Sequence, residues 1–152
     1  MGLDMYLTRK TYIGAQYEHR NVKGTIDITI NGKQIPINFN RVCYVEEDVG
    51  YWRKANAIHK WFVDNVQNGV DDCKDYYVSK EKLEELLDIC KKVKENHELA
   101  KELLPTTDGF FFGSIDYNEY YFEDIENTIK IIEDTLSDYD TLLHECFYHS
   151  SW

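Results

Sequence analysis

The residues 51–62, YWRKANAIHKWF, gather two tryptophans, a tyrosine, a phenylalanine, a histidine, an asparagine and three basic side chains. The chemistry open to such a set is ring stacking and anion pairing. Indole offers a broad flat face, and a guanidinium is a planar fork that matches phosphate or carboxylate. Read as part of a helix over 51–66, Arg53, Asn56 and Lys60 fall three and four apart and share a face. Trp52, His59 and Val63 form the neighbouring stripe. The competing reading is an amphipathic helix whose tryptophans are core and whose cations are solvated, the commoner use of such a pattern.

A second aromatic set lies in GFFFGSIDYNEYY, 109–121. Phe111, Tyr117 and Tyr121 could support a ring bound against the first set, because tyrosine buries area at low entropy cost. The glycines have neither the G-x-x-x-x-G-K-[ST] nor the G-x-G-x-x-G spacing, so a phosphate cradle of either kind is unsupported. Asp71 and Asp72 are adjacent carboxylates that suit a divalent cation, or are simply turn residues. In the tail, His144 and Cys146 share a strand face, but a metal site there needs two more ligands. Ser114 is not in a G-x-S-x-G elbow, no H-E-x-x-H occurs, and nothing orients a Cys–His dyad. No cofactor motif is present. Binding without catalysis is the expected mode of action.

These side chains sit in a strongly acidic chain, with 28 Asp and Glu against 17 Lys and Arg and a net charge of −11. A field of that sign repels nucleic acid and anionic membrane at long range, yet it permits a local basic pocket or a basic protein partner. No apolar run approaches membrane-spanning length. MGLDMYLTRK has no signal-peptide core, so the cytoplasm is the expected location. Cys43, Cys73, Cys90 and Cys146 form no C-x-x-C pair and are expected as free, mostly buried thiols.

The elements that must position these groups are legible as periodicities. Leu3, Met5 and Leu7 alternate with Asp4, Tyr6 and Thr8 as in a half-buried strand. Ile26, Ile28 and Ile30, then Ile35, Ile37 and Phe39, flank Asn31-Gly32, a type I′ hairpin signal. RVCYVEEDV offers a further strand. After the 51–66 helix, stopped by Asn68-Gly69, Ser79 caps a helix with a Leu83, Leu86, Leu87, Cys90, Val93 stripe. HELAKELLP is a short helix ending before Pro105. GFFFGSID reads as a brief strand. Asp116 has capping-box spacing to Glu119, opening a helix with Tyr121, Ile125, Thr128, Ile129, Ile132 and Leu136 inward. The tail closes as a last strand. Strands, then helices, then a strand predict one α+β domain over 1–152, with about three helices on one face of an antiparallel sheet.

The stretches MGLDMYL, YWRKANAIHKWFVDNVQNGVDDC, LLPTTDGFFFGSIDYNEYYFED and SSW resemble an uncharacterised family of small proteins encoded by phages and prophages, along the chain from residue 1 to residue 152. Residues 14–40 are its least typical part. The resemblance carries no catalytic residue. It implies a phage accessory protein acting in the host cytoplasm, with counter-defence as one role. The leading expectation is sequestration of a small nucleotide-like anion by Trp52, Arg53, Asn56, His59 and Lys60, with Phe111, Tyr117 and Tyr121 in support. An acidic inhibitor of a host protein and a metal-dependent enzyme at Asp71 and Asp72 are the alternatives. Monomer and homo-oligomer both stay open.

Overall fold

The computed structural model describes residues 2–152. Strand β1 (Asp4–Tyr12) alternates as its sequence predicts up to Leu7, with Leu3, Met5 and Leu7 fully buried, and then buries Thr8 and Arg9 in succession. It pairs antiparallel with β4 (Tyr44–Arg53) on one side and with β6 (His144–Ser151) on the other. The short β5 (Tyr76–Val78) pairs with the far edge of β6, so the strand order is β4-β1-β6-β5. Met5 lies opposite Trp52 and Ser150, and Leu7 lies opposite Gly50 and Tyr148. These residues form the inner face. A Cβ on Gly50 would come within 2.6 Å of Ile131 Cγ2, so the glycine is what lets a helix approach the sheet there.

Three long helices cover that face: α1 (Asn56–Asn65), α2 (Lys80–Glu95) and, after the single turn α3 (Ala100–Leu103), α4 (Glu119–Ser137). Ser79 caps α2 by accepting from Lys82 N at 3.2 Å. Leu83, Leu86, Cys90 and Val93 are buried, with Leu87 at the margin. On α4, Tyr121, Ile125, Thr128, Ile129, Ile132 and Thr135 face in. One apolar cluster joins these stripes to the sheet. This is the α+β arrangement that the order of the elements predicts. Among the described residues no helix is long and apolar enough to cross a membrane.

Four expectations change. Tyr51, Trp52 and Arg53 finish strand β4 rather than opening a helix, and α1 begins only at Asn56. Residues 109–113 are a turn and not a strand: Phe112 N bonds Gly109 O at 3.1 Å, and Phe111 and Gly113 have φ of 67° and 89°. Of the three phenylalanines only Phe112 is buried. Asn118, not Asp116, caps α4, accepting from Tyr121 N at 3.3 Å. Asp116 instead accepts from Ser114 Oγ at 3.1 Å. Two of the four free cysteines, Cys43 and Cys73, are exposed, while burial pushes the Cys90 and Cys146 thiols up to about 12 and about 11.

The β1–β4 connection is an arm over residues 13–43. Its hairpin, β2 (Ile28–Ile30) and β3 (Lys33–Ile35), turns at Asn31 and Gly32 with φ of 50° and 75°, the positive pair that a type I′ turn requires. The strands are shorter than the isoleucine alternation suggests, and no residue of 13–43 belongs to the core.

Candidate functional site

The switch from β4 to α1 builds a partly enclosed cleft. Lys54 turns the chain through a left-handed conformation (φ 59°), its N–H donating to Leu3 O at 2.7 Å. Helix α1 then starts from Ala55, which has no side-chain oxygen to cap it. Asn56 N donates to Lys54 O at 2.9 Å, while the N–H groups of Ala57 and Ile58 have no side-chain acceptor and leave the positive end of the helix dipole facing the cleft. Ala57 and Ile58 of this turn line a cleft of about 320 Å³, closed on one side by residues 113–116 and on the other by the first turns of α4.

Asn56 fastens this wall. Its amide is 3 % exposed and donates to Phe112 O at 3.1 Å and Ser114 O at 2.8 Å. Its oxygen accepts from Thr107 N at 3.1 Å. One side chain thus satisfies three backbone groups of the 105–118 loop. Gly113 lies against Lys54, where a Cβ would sit 3.1 Å from Lys54 Cβ.

The electrostatics of the cleft are mixed. Lys54 enters from one wall, with Arg53 at its edge where β4 ends on the outer face beside Tyr51 and Asp4, and Asp116, Glu123 and Asp124 enter from the other. Neither cation forms an ion pair among the described residues. Burial, and then the neighbouring Glu123 charge, push the Asp124 carboxyl up to about 6. Tyr120 stands at the rim, 73 % exposed. Such a set can hold an anionic group at the helix start and accept N–H donors on the opposite side, with a ring face between.

Of the side chains singled out in the sequence, Arg53, Asn56 and Tyr121 line this cleft. Trp52 does not: it is 2 % exposed, in the core, with Nε1 donating to Thr128 Oγ1 at 2.9 Å. Because β4 continues to Arg53, Arg53, Asn56 and Lys60 share no helix face. Lys60 pairs with Asp64 at 2.6 Å, one turn along α1. Phe111 lies half-exposed outside the cleft, and Tyr117 hydroxyl accepts from Thr106 N at 3.2 Å. Lys54, Asp116, Tyr120 and Asp124 were not visible as a set. Asp124 did leave a signal: it falls three after Tyr121 and four before Thr128, a carboxyl beside an inward stripe.

His59 belongs to a second, closed cluster. Nδ1 is 2.8 Å from Tyr148 hydroxyl and Nε2 is 2.9 Å from Asp71 Oδ2. A carboxylate can only accept, so in the neutral ring the Nε2 hydrogen faces Asp71 and Nδ1 accepts from the Tyr148 hydroxyl, which burial keeps protonated. Trp152 Nε1 donates to the other Asp71 oxygen at 3.1 Å. The linkage resembles a nucleophile–base–acid relay, but Tyr148 is fully buried, and a substrate has no access to it. Asp72 turns away to Tyr76 hydroxyl (3.0 Å) and Lys74 Nζ (2.7 Å). The two carboxylates therefore do not converge, and among the described residues no three His, Cys, Asp or Glu side chains gather as a metal site.

Comparison with protein-family models, with curated proteins and with solved structures finds no match.

Proposed function

We propose that the protein binds a small nucleotide-like anion without transforming it, in the cleft at the head of α1. In the phage setting that the sequence resemblance implies, it acts by sequestration. The observation that carries this reading is the pairing of Arg53 and Lys54, both without carboxylate partners among the described residues, with a helix start that no side chain caps beside a cleft of about 320 Å³. Backbone N–H groups at a helix start and a guanidinium together suit a phosphate or carboxylate group. The volume falls at the lower end of small-molecule sites, roughly 300–1,000 Å³. Asp116 and Asp124 disfavour a purely anionic ligand and favour one that also offers N–H donors, as a nucleobase does. Tyr120 supplies a ring face at the rim.

The protein purified from expressing cells and then denatured should release a nucleotide-like mass. Arg53→Ala should lose it, and its affinity in calorimetric titration should fall tenfold or more, about 1.4 kcal/mol or above. Silence across linear and cyclic nucleotides, with an empty purified protein, overturns the reading.

Asp124 gives the reading a pH signature. Protonation below about 6 removes a negative charge from the cleft. Affinity for an anion should therefore rise as pH falls through 6, and Asp124→Asn should bind with the tighter affinity at all pH values. Stability follows the same sign. A carboxyl whose folded pKa lies above the unfolded one stabilises most below the unfolded value, and that stabilisation is lost as pH rises through about 6. Asp124→Asn should raise Tm at pH 7.5 and leave it nearly unchanged at pH 4, read by thermal melts at the two pH values.

A further inference from the structure

The arm and the outer face of the sheet are complementary surfaces that touch within one chain at Arg20 on Tyr12, at one end of the face. The arm carries Arg20, Lys23, Lys33 and Arg41 against Glu18 and Asp27, a net of +2, which leaves the rest of the −11 chain at −13. Among the described residues none of these four cations has a carboxylate partner, although Arg20 stacks on Tyr12 at 4.5 Å. Ile30 and Ile37, at 55 % and 42 % exposed, add apolar area that nothing covers.

The outer face is the opposite in charge and rich in rings. The register places Tyr6, Tyr51, His149 and Phe147 side by side, with Tyr77 beyond them on β5. Tyr6 stacks on His149 at 4.8 Å and lies 5.4 Å from Tyr51. Around these rings the same face bears Asp4, Glu46, Asp48 and Glu145, against Lys10 and Arg53. Among the described residues the apolar stripes of the α-helices pack on the inner face instead. Tyr44, Tyr51 and Tyr77 are each about half exposed.

We propose that the protein forms a two-fold dimer in which the arm of each copy lies on the tyrosine-bearing outer face of the other's sheet. Charge complementarity selects a second copy as the occupant: a basic apolar arm and an acidic aromatic face occur once each per chain, so a two-fold axis satisfies both at once. A stable interface takes about 20–30 residues a side, which is the size of the arm. Tyrosine rings with isoleucine between them are the composition such contacts favour. Pairing of two β4 edges centred on Glu47 is disfavoured, because Glu46, Glu47 and Asp48 of one copy would face those of the next. The dimer goes beyond the cleft reading and does not depend on it.

A charge exchange tests the dimer. Light scattering at tens of micromolar protein should give twice the 18.0 kDa chain mass for the natural chain. Lys33→Glu with Arg41→Glu in one chain, and Asp48→Lys with Glu145→Lys in another, should each run at 18.0 kDa alone. Mixed in equal amounts, the two should return to the doubled mass, since both arm–face contacts are then opposite in sign. Ile37→Asp, at an exposed arm position that leaves the core untouched, should also give the single-chain mass. Circular dichroism verifies that each variant is folded. A natural chain that stays at 18.0 kDa, charge-reversed chains that remain doubled, or a mixture that fails to pair each overturns the proposal.

Discussion

Asn56→Ala should lower stability by about 2–4 kcal/mol, the cost of stranding buried donors and acceptors rather than that of one lost contact. The methyl leaves Phe112 O and Ser114 O without a donor and Thr107 N without an acceptor. For a chain of this size the melting temperature should fall by roughly 5–15 °C. The same change unfastens one wall of the α1 cleft, so ligand retention should be lost even well below the melt. Asn56→Asp separates the roles: it keeps the acceptor for Thr107 N and sets a carboxylate against two carbonyls, and should be no better than alanine. A variant that melts as the natural protein does would mean that the 105–118 loop is held by other bonds.

The second large effect lies at the sheet–helix contact. Phe62 on α1 is fully buried and stacks on Tyr148 of β6, with centroids 3.9 Å apart and planes 6° from parallel. Its edge meets Trp52 at 6.1 Å and Trp61 at 5.3 Å. Phe62→Ala should cost about 3–5 kcal/mol, through lost transfer energy and an unfilled cavity. That is a large share of the roughly 5–15 kcal/mol that holds a domain together. Tyr148→Phe keeps the stack and removes only the hydroxyl on His59. It should cost less, about 1–3 kcal/mol, for the stranded ring nitrogen. Chemical denaturation of the pair distinguishes packing from hydrogen bonding: equal losses would make the hydroxyl, not the stack, the main tie between α1 and β6.

The sequence showed most clearly what local rules determine. Strand β1, the Asn31-Gly32 turn, the Ser79 cap and the inward stripes of α2 and α4 all follow from period and cap chemistry. The 51–62 stretch did not, because helical spacing and strand alternation both fit it up to Trp52. The tie was broken by tertiary pairing of Met5 with Trp52 and by one left-handed residue, Lys54, which no pattern marks. The isoleucines of β2 and β3 were legible as a face, but periodicity does not say whether anything covers that face. The cleft was half legible for a related reason. Arg53, Asn56 and Tyr121 stand out by type, whereas Lys54, Asp116, Tyr120 and Asp124 converge only because a strand end, a loop and a helix start meet in space.

Strand β6 lies between β1 and β5, although the ribosome makes it after both. Thr8 and Phe147, joined by a hydrogen bond across the two central strands, are 139 residues apart. Until residues 144–151 emerge, β1 keeps one bare edge, β5 has no strand to pair with, and Phe62 and His59 lack Tyr148. The nascent chain is therefore a β1–β4 hairpin with an open flank and a set of unsatisfied helices, an arrangement prone to wrong pairing. Its closure waits on contacts between the two ends of the described chain, which makes acquisition of the fold late, cooperative and slow relative to helical proteins of equal length.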